Sequence, residues 1–232
     1  MPTITDRGRR LDLLFLISAI AGGTGTAYRG LSGADINSIA FLHQRIENTG
    51  KMQLAIGLDV IGSAIVVFIA IYVFLIVRKL NHQLGMAYVA IAMINFVVIT
   101  LSNLVHISLL SVAADLTIAG TSDHTHYITL AKMHYEAYYW AHFLMLLLYG
   151  IGGSVLYYFL YNTHLLPRWL AVWGLFASLV VFLGGALQIV GISVSILFFV
   201  QNGLFILTFM GYLHPVGFRK TSFNPEISQH GV

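Results

Sequence analysis

The sequence predicts an all-α polytopic membrane bundle of six transmembrane helices, and three observations carry that prediction. Of 232 residues, 58% are hydrophobic and only 9% charged, whereas a soluble domain carries roughly 25% charged residues. The mean hydropathy is +0.82. The apolar residues gather into six runs, each near the roughly 20 residues that cross about 30 Å of hydrocarbon. The chain has no cysteine, which excludes disulfides, Cys-ligated zinc, iron–sulfur clusters and thiolate catalysis. A net charge of +3 does not point to nucleic acid, because the Lys and Arg residues sit in the breaks between apolar runs, as membrane orientation signals do. The expected partner is the lipid bilayer, with a second membrane protein or a second copy of the chain as a further possibility.

Residues 1–10 are polar, end in Arg7, Gly8, Arg9 and Arg10, and are expected to form a cytoplasmic N-terminal segment. The run Leu11–Tyr28 follows a basic stretch as a signal peptide would, with small residues from Gly22 to Ala27 mimicking a cleavage site. At about 18 residues it is long for such a segment, and it reads as a retained first span. In the connector 29–53, Ile36, Ile39, Leu42 and Ile46 recur at near-helical spacing behind a possible cap at Asp35. A short helix on the membrane surface fits this pattern, as does a packed loop. The remaining spans are Leu54–Val77, Gly85–Ala113, Tyr135–Tyr161, Trp169–Ile189 and Ser193–Leu213. Residues 11–215 thus form the six-helix domain and 216–232 a cytoplasmic tail. Small residues four apart, Gly150 with Ser154 and Gly174 with Ser178, are a close-packing signal.

Orientation follows from the basic residues. Arg7, Arg9, Arg10, Arg78, Lys79, Arg168, Arg219 and Lys220 fall on one side, and Arg29, Arg45, Lys51 and Lys132 on the other. The positive-inside rule then places both termini in the cytoplasm.

The corner after the fourth span reads Leu160, Tyr161, Leu165, Leu166, Pro167, Arg168, Trp169, Leu170. With its preceding LYYFLYNTH and following AVWGLFASL, it resembles the bacterial integral membrane proteins of domain-of-unknown-function family 4386. The resemblance implies a fold and, by that family's habitat, a bacterial inner-membrane location, but no activity. A physical reading stands beside it: Pro167 starts the next helix, Arg168 meets the anionic face and Trp169 the interfacial aromatic belt.

The polar residues inside the spans are the candidate site. At 1.5 Å per residue from the outer helix ends, Asp59 lies about 9 Å deep, His106 and His142 about 11 Å, and Gln201 and Asn202 about 12 Å. Glu136 and Gln188 are nearer the surface, and Asn95 is the main exception in the inner half. Asn95, Ser102 or Asn103, and His106 share a face of one helix, and Tyr135, Tyr138 and His142 a face of the next. Ionisable groups in hydrocarbon are costly and usually face a bundle interior or a wet cavity, so one outward-opening polar pocket is expected to hold them.

Three uses of that pocket stay open. It is a packing network; or a cofactor site; or a proton or solute path through Asp59 and the histidines. As a cofactor site, His106 and His142 would be axial ligands of haem b, with Tyr138 beside them, or would join Asp59 in a two-His-one-carboxylate divalent metal site. Tyr135, Tyr138, Tyr139 and Trp140 read as an interfacial belt, or as the wall of a quinone-like ligand's site with Glu136 and His142. Asp123, His124, His126, His134 and His43 lie on outer connectors, either as a metal-capture or pH-sensitive patch or as a solvated loop. No GxSxG, HExxH or phosphate-binding glycine loop is present, and no residue is assigned as catalytic. The expectation is a membrane protein whose outer-leaflet pocket, built from Asp59, Asn103, His106, Glu136, Tyr138, His142, Gln201 and Asn202, binds a small ligand or cofactor, with redox chemistry as one use of it. The alternative is a non-catalytic subunit with a polar packing core, or a transporter.

Overall fold

The computed structural model describes residues 4–29, 36–78, 81–119, 124–195 and 197–219. Asp35 as a cap, Lys79, Asp123 and Lys220 lie outside them, as do the side chains of Arg7 and Arg29. All regular structure among the described residues is helical, in the order α1 (Ile4–Arg29), α2 (Ile39–Glu47), α3 (Thr49–Val77), α4 (His82–Ala119), α5 (Thr125–Asn162), α6 (Arg168–Ile189) and α7 (Leu197–Val216). Five of them, α3 to α7, are long and apolar enough to cross a membrane. Such a helical bundle, with its outer faces apolar, is that of an integral membrane protein. Six spans were expected, and α1 is not among the five.

Long helices form here because the runs are rich in Leu, Ile and Ala and because a backbone in lipid must satisfy its own hydrogen bonds. Each helix packs on its neighbour in sequence, α3 on α4, α4 on α5, α5 on α6 and α6 on α7, while α1 packs on both α3 and α7 and closes a ring. The small residues expected to bring helices together do so. A Cβ at Gly150 would lie 2.7 Å from the backbone nitrogen of Phe182 on α6, and one at Gly174 would lie 2.6 Å from the ring of Tyr157. Only glycine lets these seams close, which is the close approach that small residues permit in membrane helices.

The two middle helices are longer than the sequence reading allowed. At 38 residues each, α4 and α5 are about 57 Å long, well beyond roughly 30 Å of hydrocarbon. The outward-facing large apolar side chains of α4 run from Met86 to Ile107, Ile118 apart. That belt is about 32 Å tall. On α5 the matching belt runs from Tyr139 to Tyr161, Met133 apart. Beyond the belt the outer ends of α4 and α5 pack with α2 around a separate core of Phe41, Leu42, Leu109, Ala113, Leu116 and Ala131. The connector's helix therefore buries its apolar face on protein.

At the opposite end the expected N-terminal segment is helical from Ile4. Gly8 packs on Gly217 and Phe218, Arg9 donates to the Pro215 carbonyl at 2.7 Å, and Asp12 meets His214 at 2.9 Å. The backbone N–H of Arg219 donates to Leu165 O. The start of α1, the end of α7 and the α5–α6 corner thus share one end of the bundle. In that corner Leu165, Leu166 and Leu170 are buried, Pro167 caps α6, and Arg168 and Trp169 are exposed. His164 takes a left-handed φ of 57°, where its Nδ1 reaches Tyr161 O at 2.9 Å.

Candidate functional site

The residues expected to share one outer pocket separate into three places. His106 and Asn103 are 1% and 2% exposed on the inward face of α4. The His106 ring packs on Tyr138, centroids 4.5 Å apart, and Tyr138 in turn faces His142 at 6.5 Å. Glu136 is exposed and takes no part. Asp59 sits instead on the α1–α3 seam, where its carboxylate would be 2.6 Å from a Cβ at Gly25. Gln201 donates to Ala177 O on α6 at 3.4 Å, and Asn202 hydrogen-bonds Tyr149.

The true helix ends explain the separation. His106 is thirteen residues from the end of α4, and Tyr138 thirteen from the start of α5, so these two lie at matched depth; His142 is one turn deeper. The expectation of two level histidines rested on ends at 113 and 135. No group of three or more His, Cys, Asp or Glu side chains that could hold a metal ion occurs among the described residues, so Asp59, His106 and His142 do not assemble the expected metal site. Haem fits no better at His106. An internal void wide enough for water would leave that side chain exposed, and at 1% exposure a porphyrin enters only if Tyr138 or its helix moves.

The outer cluster has one further member, Arg45, which in the sequence stands as a connector charge. Arg45 is 4% exposed, with its guanidinium 4.7 Å from the Phe41 ring centre and Nη1 3.4 Å from Met52 Sδ. Burial lowers its pKa from the ordinary arginine value, opposed by Tyr135 and Tyr138. Its signal in the sequence was position: Phe41, Leu42, Arg45 and Ile46 fall on one helical face. Tyr135 packs on Phe41 at 5.6 Å, while Tyr139 and Trp140 point outward. Half of the expected aromatic belt is thus core.

A partly open pocket lies elsewhere, between the helices of the ring. A cavity of about 240 Å³ is walled by α1, α3, α4, α5 and α7. Aromatic rings form much of its surface, among them Phe15, Tyr88, Tyr149, Tyr157 and Phe209, and Asn95 is a polar side chain within it. No Asp, Glu, Lys, Arg or His is among the described residues that line it. The Oδ1 atom of Asn95 is buried and has no hydrogen-bond partner. In the sequence Asn95 stands out as the polar residue of the inner half, on the same helix face as Asn103 and His106. The cavity's other walls, which include Gly152 and Gly153, carry no sequence signal distinct from packing.

A family model described as Domain of unknown function (DUF4386) matches residues 13–217. No curated protein and no solved structure matches the chain.

Proposed function

The chain belongs to this family, whose description prescribes no reaction, and from that premise we propose that it is a membrane-embedded binding protein holding a small apolar ligand at the centre of a six-helix ring. The observation that carries the reading is the 240 Å³ cavity. Binding pockets are concave and mostly apolar, with a few placed polar groups, and this one has that composition. Its volume and its largely aromatic lining suit a small apolar molecule.

In this reading α1 is the sixth crossing. Its start lies with the end of α7, and Gly25 lies beside Ala55 and Asp59 near the opposite end of α3. The seventeen residues between Gly8 and Gly25 rise about 26 Å, close to the hydrocarbon thickness. Leu13, Leu16, Ile17 and Ile20 face outward, as lipid-facing residues do. Arg9, Arg10, Arg78, Arg168 and Arg219 then lie on the cytoplasmic side with both termini, in a bacterial inner membrane as the resemblance implies.

The outer cluster favours a second role for its residues, that of a clamp. Arg45 on α2 is buried near Tyr135 and Tyr138, and His106 on α4 is buried against Tyr138, so these side chains join the cap to the membrane ring. Ala92→Leu tests the binding role, because Ala92 lines the cavity and a larger side chain fills it. Solvent extraction and mass spectrometry of the purified protein should find a small apolar compound at near-stoichiometric level in the parent and its loss in Ala92→Leu. Identical extracts, containing bulk lipid alone, would contradict the proposal.

A further inference from the structure

We propose that the α5–α6 corner and the end of α7 form a binding site for one anionic phospholipid, whose phosphate bridges Arg168 and Arg219. The site stands apart from the central pocket and does not depend on what that pocket holds. Convergence comes first. The backbone N–H of Arg219 donates to Leu165 O at 3.0 Å, which ties the segment after α7 to the corner. Arg168 follows Leu165 by only three residues, at most about 11 Å of backbone. Two cations from distant parts of the chain are thereby held at one place.

Each guanidinium is positioned by a neutral partner. His164 Nδ1 meets the Tyr161 carbonyl at 2.9 Å, and a carbonyl only accepts, so Nδ1 carries the ring proton. That leaves Nε2 as an acceptor, and Arg168 Nη2 approaches it at 3.4 Å. Arg168 therefore leans back over the corner to which Arg219 is tied. Arg219 in turn donates from Nε to the Tyr212 hydroxyl at 3.3 Å. A guanidinium has five N–H donors, so most of each fork is left over, and both residues are exposed. Neither meets a carboxylate among the described residues; Asp12, at this same end, is engaged by His214 at 2.9 Å.

Depth and charge select the occupant. Trp169 adjoins Arg168 and is 57% exposed, and an outward tryptophan at a helix end sits at headgroup level. The two forks thus lie where phosphodiester groups lie, and guanidinium geometry matches phosphate oxygens two at a time. Two cations with no carboxylate between them repel the ammonium of a zwitterionic headgroup and favour one of net negative charge.

Native mass spectrometry of delipidated protein in mild detergent, titrated with phosphatidylglycerol or phosphatidylcholine of the same acyl chains, reads both dissociation constants. Phosphatidylglycerol should bind about tenfold tighter. Arg168→Gln and Arg219→Gln should each weaken it about tenfold, the loss of a charge-assisted contact. Arg78→Gln, at the exposed end of α3 on the same side, should leave it unchanged. Because one headgroup joins the two arginines, the double variant should lose clearly less than the product of the single losses. Equal affinity for the two lipids overturns the proposal. An equal loss in Arg78→Gln means diffuse attraction to the basic face, and losses that multiply mean two separate contacts; either result overturns the shared site. Displacement of the lipid by millimolar inorganic phosphate would make free phosphate the occupant and overturn the lipid assignment. The comparison of the two lipids uses the parent protein alone, so a poorly folding variant does not block the test.

Discussion

The membrane ring and the outer cap handle polar and apolar matter in opposite ways. The ring is held by seams of small residues, Gly150 on Phe182 and Gly174 on Tyr157, and yet leaves a partly open apolar pocket between its helices. The cap is a small core of large side chains over a buried Arg45, and Asn103 and His106 are covered just beneath it, at the edge of the α4 belt. Within lipid, apolar burial supplies no driving force between helices, so backbone approach must. Where α4 and α5 stand beyond their apolar belts, the hydrophobic effect is available again, and Phe41, Leu42 and Leu116 use it. The difference teaches that buried polarity alone does not mark the site: the more polar region is packed, and the less polar one has room.

The largest effect is expected at a seam. Gly150→Leu forces atoms into the Phe182 backbone, which cannot yield as a side-chain tip can, and should cost about 3 kcal/mol or more. Detergent-titrated unfolding followed by circular dichroism measures it. By contrast a Cβ at Gly152 meets side chains alone, Ile91 Cγ2 at 3.2 Å and Tyr88 Cε2 at 3.9 Å, so Gly152→Ala should be mild; equal losses would break the seam account.

Arg45 sharpens the contrast from the cap side. Arg45→Ala removes the stem and the guanidinium packed on Phe41 and should cost about 2–3 kcal/mol. Arg45→Met keeps the volume without the charge, and a buried ion replaced by an apolar group of similar size is often neutral; a change within about 1 kcal/mol is expected. If both variants lose the same amount, the charge itself holds the cap together and the packing account of Arg45 fails.

The smallest effect belongs to the cavity. Ala92→Leu adds apolar atoms to empty space and should stabilise the unliganded protein by about 0.5–1 kcal/mol, in thermal unfolding of protein stripped of ligand. A marked loss would mean the space is too narrow to fill and would remove the contrast.

Much of the fold was legible in the sequence because hydropathy over 20-residue windows is a strong signal. The outer ends of α4 and α5 were not, since past Ala113 and before Tyr135 the apolar positions Leu116, Ile128 and Ala131 are diluted by polar neighbours such as Asp115 and Lys132. That error moved the assumed helix ends and paired His106 with His142 where the structure pairs it with Tyr138. The central cavity was illegible for a different reason. Tyr88, Tyr157 and Gly152 look like core residues in any one helix, and a void is a property of five helices together.

The closing of the ring by α1 on α7 is the central claim, since it makes α1 a crossing and gives the cavity its fifth wall. The natural absence of cysteine leaves a clean background for one cross-linking measurement. Asp12 and His214 touch at 2.9 Å, so the double variant Asp12→Cys with His214→Cys, oxidised mildly in native membranes, should form a disulfide within one molecule. Proteolysis between α1 and α7 should then leave the fragments joined until reduction. Disulfides formed only between molecules, or none at all with both thiols still reactive to maleimide after solubilisation, would contradict the closed ring.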